Sequence, residues 1–268
     1  MILTSDPIIT RMRGVQARDA YDLRADGIIP KLVIIRDSNN PVINKYVTRK
    51  IAYGREIGVE VQDCFIPTDY ILHEINRVNR NPDIHGVIVQ LPILEPNRTE
   101  SIVGQILPSK DIDGLSDRGK YSSATATAID LLLAGYHIDL KEHKIALVGY
   151  GKLVGEPLAK MWRERGIKVE VFRKSDGRDL KEHLPGYSLI VSATGVPNVI
   201  KDSMISDNSI VIDAGTASEH GVVVGDVEDK LRERRDLSIT PRIGGVGPLT
   251  VASLFANVLH SAQNSVKS

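Results

Sequence analysis

Short runs of β-branched residues alternate along this chain with segments of helical periodicity, and that alternation restricts it to parallel α/β architecture. The first series opens with the strand KLVIIR at 31–36. Residues 44–57 follow as a helix, with Val47, Ile51 and Ile57 near one face. Residues 59–66 read as a second strand stopped by Pro67, and Thr68 as the cap of a helix carrying Ile71, Leu72, Ile75 and Val78. GVIVQL at 86–91 is a third strand stopped by Pro92, and a helix is expected over 100–107. A polar turn, KDIDG at 110–114, and a helical stretch at 126–134 lead to a second series that starts at Lys144. It runs KIALVG, a glycine loop, a helix through Trp162, IKVEVF, a short helix, SLIVSA and SIVIDAG. Residues 216–226 read as a hairpin or loop, 238–240 as a short last strand and 248–262 as a closing helix. The two series differ in loop chemistry, so neither copies the other.

A chain of 268 residues fits about two domains. Its 34 basic and 34 acidic side chains cancel, so no long-range field draws in nucleic acid or an anionic membrane. No apolar run approaches a membrane span, and the first residues, MILTSDPIITRMRG, lack the apolar core of a signal peptide. The single cysteine, Cys64, forms no internal disulfide and no zinc or iron–sulfur cluster, which points to a reduced, cytoplasmic setting.

The second series carries a nucleotide signal. Gly149-Tyr150-Gly151-Lys152-Leu153-Val154-Gly155 lies between a buried-type strand and a helix. Glycines let the backbone turn sharply and approach a pyrophosphate, and a helix N-terminus supplies N–H donors and partial positive charge. The spacing, G-x-G-x-x-x-G, is one residue longer than the common fingerprint. Its place between strand and helix favours a dinucleotide site over a plain turn. The following strand ends Phe172-Arg173-Lys174-Ser175. An acid there suits a ribose 2′-hydroxyl, a base suits a 2′-phosphate. The paired cations favour NADP; NAD stays open if they are only solvated surface charges.

The first series carries candidate chemistry. Tyr46 and Lys50 share one helix face, a spacing that relays protons when the lysine is desolvated but that also occurs on ordinary half-exposed helices. Short-chain dehydrogenases place such a pair downstream of the glycine loop; here it precedes the loop, so that family does not fit. Gln90 ends a buried strand, where α/β sites form. Asp113 sits in a glycine turn, and TPRIGGVGP at 240–248 brings glycine backbone up to a helix start. Each is compatible with a plain turn. Together they supply a base, an amide, an acid and a ligand-facing loop.

In order, Y-x-x-x-K, GVIVQLP, KDIDG, G-x-G-x-x-x-G-x-P, ATG-x-P, IVIDAG, GDV and GGVGPLTVA resemble the bifunctional methylenetetrahydrofolate dehydrogenase/cyclohydrolase family. The resemblance runs from about Lys31 to the last helix, and GVIVQLP, KDIDG and GGVGPLTVA are its specific segments. It implies a two-lobed α/β fold: an N-terminal catalytic, folate-binding lobe over 1–118, a Rossmann-type NADP-binding domain over 119–240, and a loop and helix over 241–268 that return to the N-terminal lobe. It also implies a homodimer through the nucleotide domain. Two reactions come with it. Hydride passes from 5,10-methylenetetrahydrofolate to NADP⁺, and the methenyl product is hydrolysed to 10-formyltetrahydrofolate. Partners are then tetrahydrofolate one-carbon derivatives, with neither nucleic acid nor membrane.

Position by position, the resemblance implies Lys50 as the proton-transfer lysine, Tyr46 as the ring stacked on the folate, Gln90 as the amide that tunes the lysine and Asp113 as the holder of the pterin. Val89 and Leu91 flank Gln90, and Gly244, Gly245, Val246, Gly247 and Pro248 match the loop beside the folate. Gly149, Tyr150, Gly151, Lys152, Val154 and Gly155 match the nucleotide turn. Thr194 and Gly195 match the ATG segment and Thr216 a backbone contact near the nicotinamide, while Arg173, Lys174 and Ser175 complete the candidate cofactor site on the reading of the strand end given above. No metal is implied: the methenyl substrate is an electrophilic cation, so hydrolysis needs a positioned water and a proton carrier.

The chain departs from the family pattern at Ile43 (usually serine), at Ser123-Ala124-Thr125-Ala126 (usually P-C-T-P), at Tyr150 and Gly151 (often arginine and serine) and at Ile243 (usually proline). The Tyr150–Gly151 change removes usual 2′-phosphate contacts and leaves NADP to Arg173 and Lys174. Two other readings remain. A dehydrogenase alone, on the two-lobed plan of amino-acid and shikimate dehydrogenases, has no use for Tyr46, Gln90, Asp113 and GGVGP together. A non-catalytic nucleotide-binding scaffold has none for Lys50 and Gln90.

Overall fold

The β-branched runs of the two series become parallel strands, most of them with buried side chains, although residues 60–65 are half-buried or exposed throughout. The computed structural model describes residues 1–116, 118–215, 217–219 and 222–265. In chain order the elements are α1 (Asp6–Ala25), β1 (Lys31–Arg36), α2 (Pro41–Ile57), β2 (Glu60–Phe65), α3 (Ile71–Arg80), β3 (Gly86–Val89), α4 (Thr99–Val103), α5 (Ala124–Gly135), β4 (Ile145–Val148), α6 (Gly155–Glu164), β5 (Val169–Phe172), α7 (Leu180–His183), β6 (Leu189–Ser192), β7 (Ile210–Asp213), β8 (Ala217–Glu219), β9 (Val222–Val224), β10 (Ser238–Ile239) and α8 (Val246–Ser265). They form two compact units. The N-terminal unit is Thr10–Ala124 with Val251–Ser268, and the central unit is Met1–Ile9 with Thr125–Thr250.

The N-terminal unit holds a parallel sheet in the order β2-β1-β3, with Leu32 opposite Val61 and Gly86. Val33, Ile35, Val87 and Val89 pack on Ile71, Ile75 and Val78 of α3. The later part of α8 belongs to the same unit, as the resemblance implied for the last helix. Gln16 Nε2 donates to Ala252 O at 2.8 Å, Asn257 Nδ2 to Ile112 O at 2.8 Å, and the Phe255 ring lies 5.3 Å from that of Tyr53.

The central unit holds a parallel sheet in the order β10-β7-β6-β4-β5, and Ile2 bridges to Ile239 at its edge. Chain direction across this sheet reverses at β4. β5 lies on one side and β6, β7 and β10 on the other, so the crevice at the strand C-termini opens between β4 and β6. Ala146, Val148, Ile190, Val211 and Ile239 anchor its core.

Several expectations change. α1 was not read from the sequence at all. In α2 the buried stripe is Ile43, Val47, Lys50, Gly54 and Ile57, while Ile51 is 37% exposed. Thr68 caps no helix: its hydroxyl donates to Asp37 Oδ2 at 2.7 Å, and α3 starts at Ile71 without a side-chain cap. The helix expected over 100–107 is only Thr99–Val103. Val246, Gly247 and Pro248 are not loop but the first turn of α8, where proline is tolerated because its missing N–H has no intrahelical acceptor. Thr216 lies outside the described residues. No helix among the described residues is long and apolar enough to cross a membrane.

Candidate active site

The periodicity of α2 builds the first half of the site. Asn40 caps the helix by accepting from Val42 N–H at 2.8 Å, Pro41 starts it, and Gly58 ends it in the left-handed conformation. The helix is thus fixed at both ends, and its buried stripe carries Lys50 inward with 9% of its surface exposed. Lys50 Nζ donates to Gln90 Oε1 at 2.6 Å. Gln90 follows β3, continues its pairing through N–H to Ile35 O at 2.8 Å, and orients its amide by donating from Nε2 to Leu91 O at 3.0 Å. The amide oxygen is therefore the end that meets the lysine. Burial lowers the Lys50 pKa, and the Asp113 carboxylate partly opposes that. Burial likewise raises the Asp113 pKa, with Lys50 pulling it back. Tyr46, one turn before Lys50, is half-buried and its phenol is raised by burial. Val89 is buried and Leu91 half-buried beside Gln90.

The turn that presents Asp113 is set by its neighbours. Asp111 is buried and accepts from Ser116 N–H and Oγ–H at 2.8 and 2.6 Å, while Asn257 holds the Ile112 carbonyl. Lys50, Gln90, Asp113 and Tyr46 all belong to the N-terminal unit. Gly244 to Pro248 belong to the central unit.

The nucleotide loop forms at the end of β4. Gly149 has φ +98°, and a Cβ there would sit 2.5 Å from Ala193 O. A Cβ on Gly155 would sit 2.2 Å from Gly149 O, so α6 starts hard against the turn. Gly151 differs: a Cβ there would meet nothing within 4 Å. Its bareness leaves room beside the α6 N-terminus, the space a pyrophosphate needs. Arg173, exposed just past β5, stacks its guanidinium 3.9 Å from the Tyr150 ring centroid. Lys174 and Ser175 are exposed in the next turn. Thr194 is half-buried and Gly195 exposed after β6. These residues suit a dinucleotide with a charged ribose substituent.

Residues 3–113 match the model described as tetrahydrofolate dehydrogenase/cyclohydrolase, catalytic domain, and residues 123–266 that family's NAD(P)-binding domain. The chain belongs to the tetrahydrofolate dehydrogenase/cyclohydrolase family. It is 34% identical over 252 residues to the bifunctional protein FolD of Hydrogenobaculum sp., covering 88% of this chain and 90% of that one. It is 33% identical to the FolD of Aquifex aeolicus, covering 97% and 94%. A crystal structure of the bifunctional FolD of Campylobacter jejuni superposes with a TM-score of 0.90 at 29% identity, covering 98% and 99%.

Within this family frame, the Lys50 cluster falls in the catalytic-domain segment and the glycine loop in the NAD(P)-binding segment. Sequence reading passed over three groups. Asp176, beside Arg173, accepts from its backbone N–H at 2.9 Å and from Arg178 at 3.3 Å, so the β5 end is a mixed-charge cluster rather than a purely basic one. Asn257 supports the Asp113 turn from α8. Asp213, Asp226 and Arg232 form a buried network at the central sheet edge. The pairing of IDAG with GDV was the available signal for the last.

Proposed function

We propose that this protein catalyses both one-carbon steps: NADP-dependent oxidation of 5,10-methylenetetrahydrofolate to the methenyl cation, and hydrolysis of that cation to 10-formyltetrahydrofolate. The observation that carries the reading is the 2.6 Å hydrogen bond from Lys50 to Gln90, which holds a desolvated amine at the end of a parallel sheet under the influence of Asp113. A lysine with a lowered pKa sheds its proton more readily than a free one, so it suits proton transfer. Water adds to the methenyl carbon, and Lys50 takes the proton that the water loses. The carbon–N5 bond then breaks, N5 receives a proton, and the formyl group stays on N10. Tyr46 stacks on the folate and Asp113 hydrogen-bonds its pterin, with Val89, Leu91 and Gly244 to Pro248 along the ligand. Bound NADP⁺ supplies the hydride acceptor. Gly149 to Gly155 receive its pyrophosphate, Arg173 and Lys174 its 2′-phosphate, and Thr194, Gly195 and Thr216 its nicotinamide end. The N-terminal unit, Thr10–Ala124 with Val251–Ser268, serves as the folate lobe, and the central unit, Met1–Ile9 with Thr125–Thr250, as the cofactor domain. Family resemblance supports a homodimer through the cofactor domain, which sedimentation would test, and a cytoplasmic setting.

The test is a spectrophotometric assay with methylenetetrahydrofolate and NADP⁺ or NAD⁺ in parallel, followed by formation of the formyl product. Lys50→Met is expected to lower methenyl hydrolysis by about 10²-fold or more. Wild-type hydrolysis in that variant would sink the role given to Lys50.

A further inference from the structure

Two aspartates lie buried at the C-terminal edge of the central sheet, and neither reaction above uses them. Asp226 is 0% exposed. Its Oδ2 accepts from Ser192 Oγ–H at 2.8 Å and from Thr194 N–H at 2.6 Å, while its Oδ1 has no hydrogen-bond partner among the described residues. Asp213 accepts from Gly215 N–H at 3.1 Å, Asp226 N–H at 3.0 Å, Val227 N–H at 3.2 Å and Arg232 at 2.6 Å. Two glycines admit the carboxylates. A Cβ on Gly215 would lie 1.9 Å from Asp226 Oδ1, and one on Gly225 would lie 2.0 Å from Asp213 Oδ2. The segments IDAG and GDV are therefore reciprocal, each glycine being the notch for the other segment's acid.

Arg232 neutralises Asp213, whereas Asp226 has no cation within ion-pair distance among the described residues. A buried carboxylate with one oxygen unpartnered destabilises a fold, and such violations of local consistency concentrate at functional sites. The side-chain contacts of Asp226 go to Ser192, the last residue of β6, and to Thr194 in the turn that follows it. That turn flanks the β4–β6 crevice, closely enough that Ala193 O abuts Gly149. Thr194 Oγ1 then accepts from Val196 N–H at 3.0 Å and closes the turn. A dinucleotide with its pyrophosphate at the α6 N-terminus and its adenosine toward Arg173, past β5, extends its other nucleoside across β4 to the end of β6.

We infer that Asp226 is a positioning residue for hydride transfer: it fixes the turn after β6 as the wall against which the nicotinamide end of the cofactor lies. Asp213 and Arg232 hold Asp226 in turn through its backbone. The inference rests on the dehydrogenase reading above and deepens it.

The test uses the full-length protein, with NADP⁺ and 2′,5′-ADP as binding probes, because the second lacks the nicotinamide. Asp226→Ala is expected to lower kcat for hydride transfer at least tenfold and to weaken NADP⁺ several-fold. Affinity for 2′,5′-ADP and the rate of methenyl hydrolysis should stay within about twofold of wild type, since misplacing reacting atoms by about 1 Å is costly only where they react. Asp226→Asn keeps an oxygen able to accept both bonds and should restore most of kcat. Ser192→Ala removes one of the two donors and should move kcat the same way by a few-fold, which decides the matter if Asp226→Ala does not fold. Unchanged hydride transfer in Asp226→Ala and Ser192→Ala, or equal loss of NADP⁺ and 2′,5′-ADP binding, would overturn the inference. If the wild-type protein shows no turnover yet the two probes separate as described, the activity is misassigned and the positioning role stands.

Discussion

Lys50 occupies a position that α2 reserves for apolar residues. Its neighbours in the stripe, Ile43, Val47 and Ile57, are buried, and Lys50 is buried with them. The sequence shows the Tyr46–Lys50 spacing but hides this, because a lysine interrupts the apolar period on which the stripe would be recognised. Two opposed influences set its protonation: burial lowers its pKa, and the Asp113 carboxylate raises it by favouring the charged amine. Asp113→Asn removes only the second, so the Lys50 titration should move further toward acid. The pH–rate profile of methenyl hydrolysis checks this. The limb that disappears in Lys50→Met should lie at lower pH in Asp113→Asn, and a shift toward alkali would contradict the arrangement. At the other ligand, Arg173 leans on Tyr150 at 3.9 Å. Arg173→Ala should lower the ratio of kcat/KM for NADP⁺ over NAD⁺ by about tenfold or more, the scale of a hydrogen bond to a charged group. Tyr150→Leu should lower it by about two- to fivefold, the scale of an exposed cation–π contact. A wild-type enzyme that prefers NAD⁺ would remove the role given to Arg173.

At the scale of elements, Arg232 ties the central sheet together. It bonds Asp213 at the end of β7, Thr240 O after β10 and Val227 O in the segment between. Its side chain is 13% exposed and that of Asp213 3%. Arg232→Met should therefore lower stability by about 3 kcal/mol, because it leaves a buried carboxylate unpaired. The sign of the pH dependence follows. Burial holds the Asp213 pKa above its ordinary value and Arg232 pulls it down, so the variant raises it further. A raised carboxyl stabilises the folded state below its unfolded pKa, and that contribution is lost as pH rises through the folded value. The melting-temperature gap between variant and wild type should narrow as pH falls, and a widening gap would refute the assignment. Strands were the most legible elements, since β1, β3, β4, β6 and β7 are built on continuous apolar runs that admit few other structures, while β5 alternates around Glu170. α1 was illegible because its buried positions, Ile8, Ile9, Gln16, Ala20 and Leu23, include a glutamine, while Val15 and Tyr21 face solvent. Gln16 is tolerated inside because it donates to Ala252 O and accepts from Tyr53 OH at 2.7 Å, partners distant in sequence. Motif order picked out Lys50, Gln90 and Asp113. Asp111 lies within the KDIDG segment, but Asn257, which holds the Ile112 carbonyl from α8, carries no local signal because its meaning depends on a tertiary contact.

At the scale of the whole molecule, the N-terminal unit is discontinuous in sequence. Its core draws on Leu254, Phe255, Val258 and Leu259 of α8, all at most 2% exposed. Gly54 of α2 leaves room for both: a Cβ there would lie 3.1 Å from the Phe255 ring and 2.4 Å from Val61. The Lys50 helix is thus seated on the far end of the chain, and Asn257, two residues beyond Phe255, holds the carbonyl before Asp113. Phe255→Ala should leave a cavity that little can fill, lowering the stability of this unit by about 3–5 kcal/mol. The central unit has its own core, built on β4, β6, β7 and β10. In a denaturant titration of the variant, methenyl hydrolysis should therefore fail at a lower concentration than NADP⁺ binding, whereas the wild type should lose the two closer together. Coincident loss of both in Phe255→Ala would mean that the two units melt as one and that α8 stabilises the molecule as a whole rather than the folate side alone.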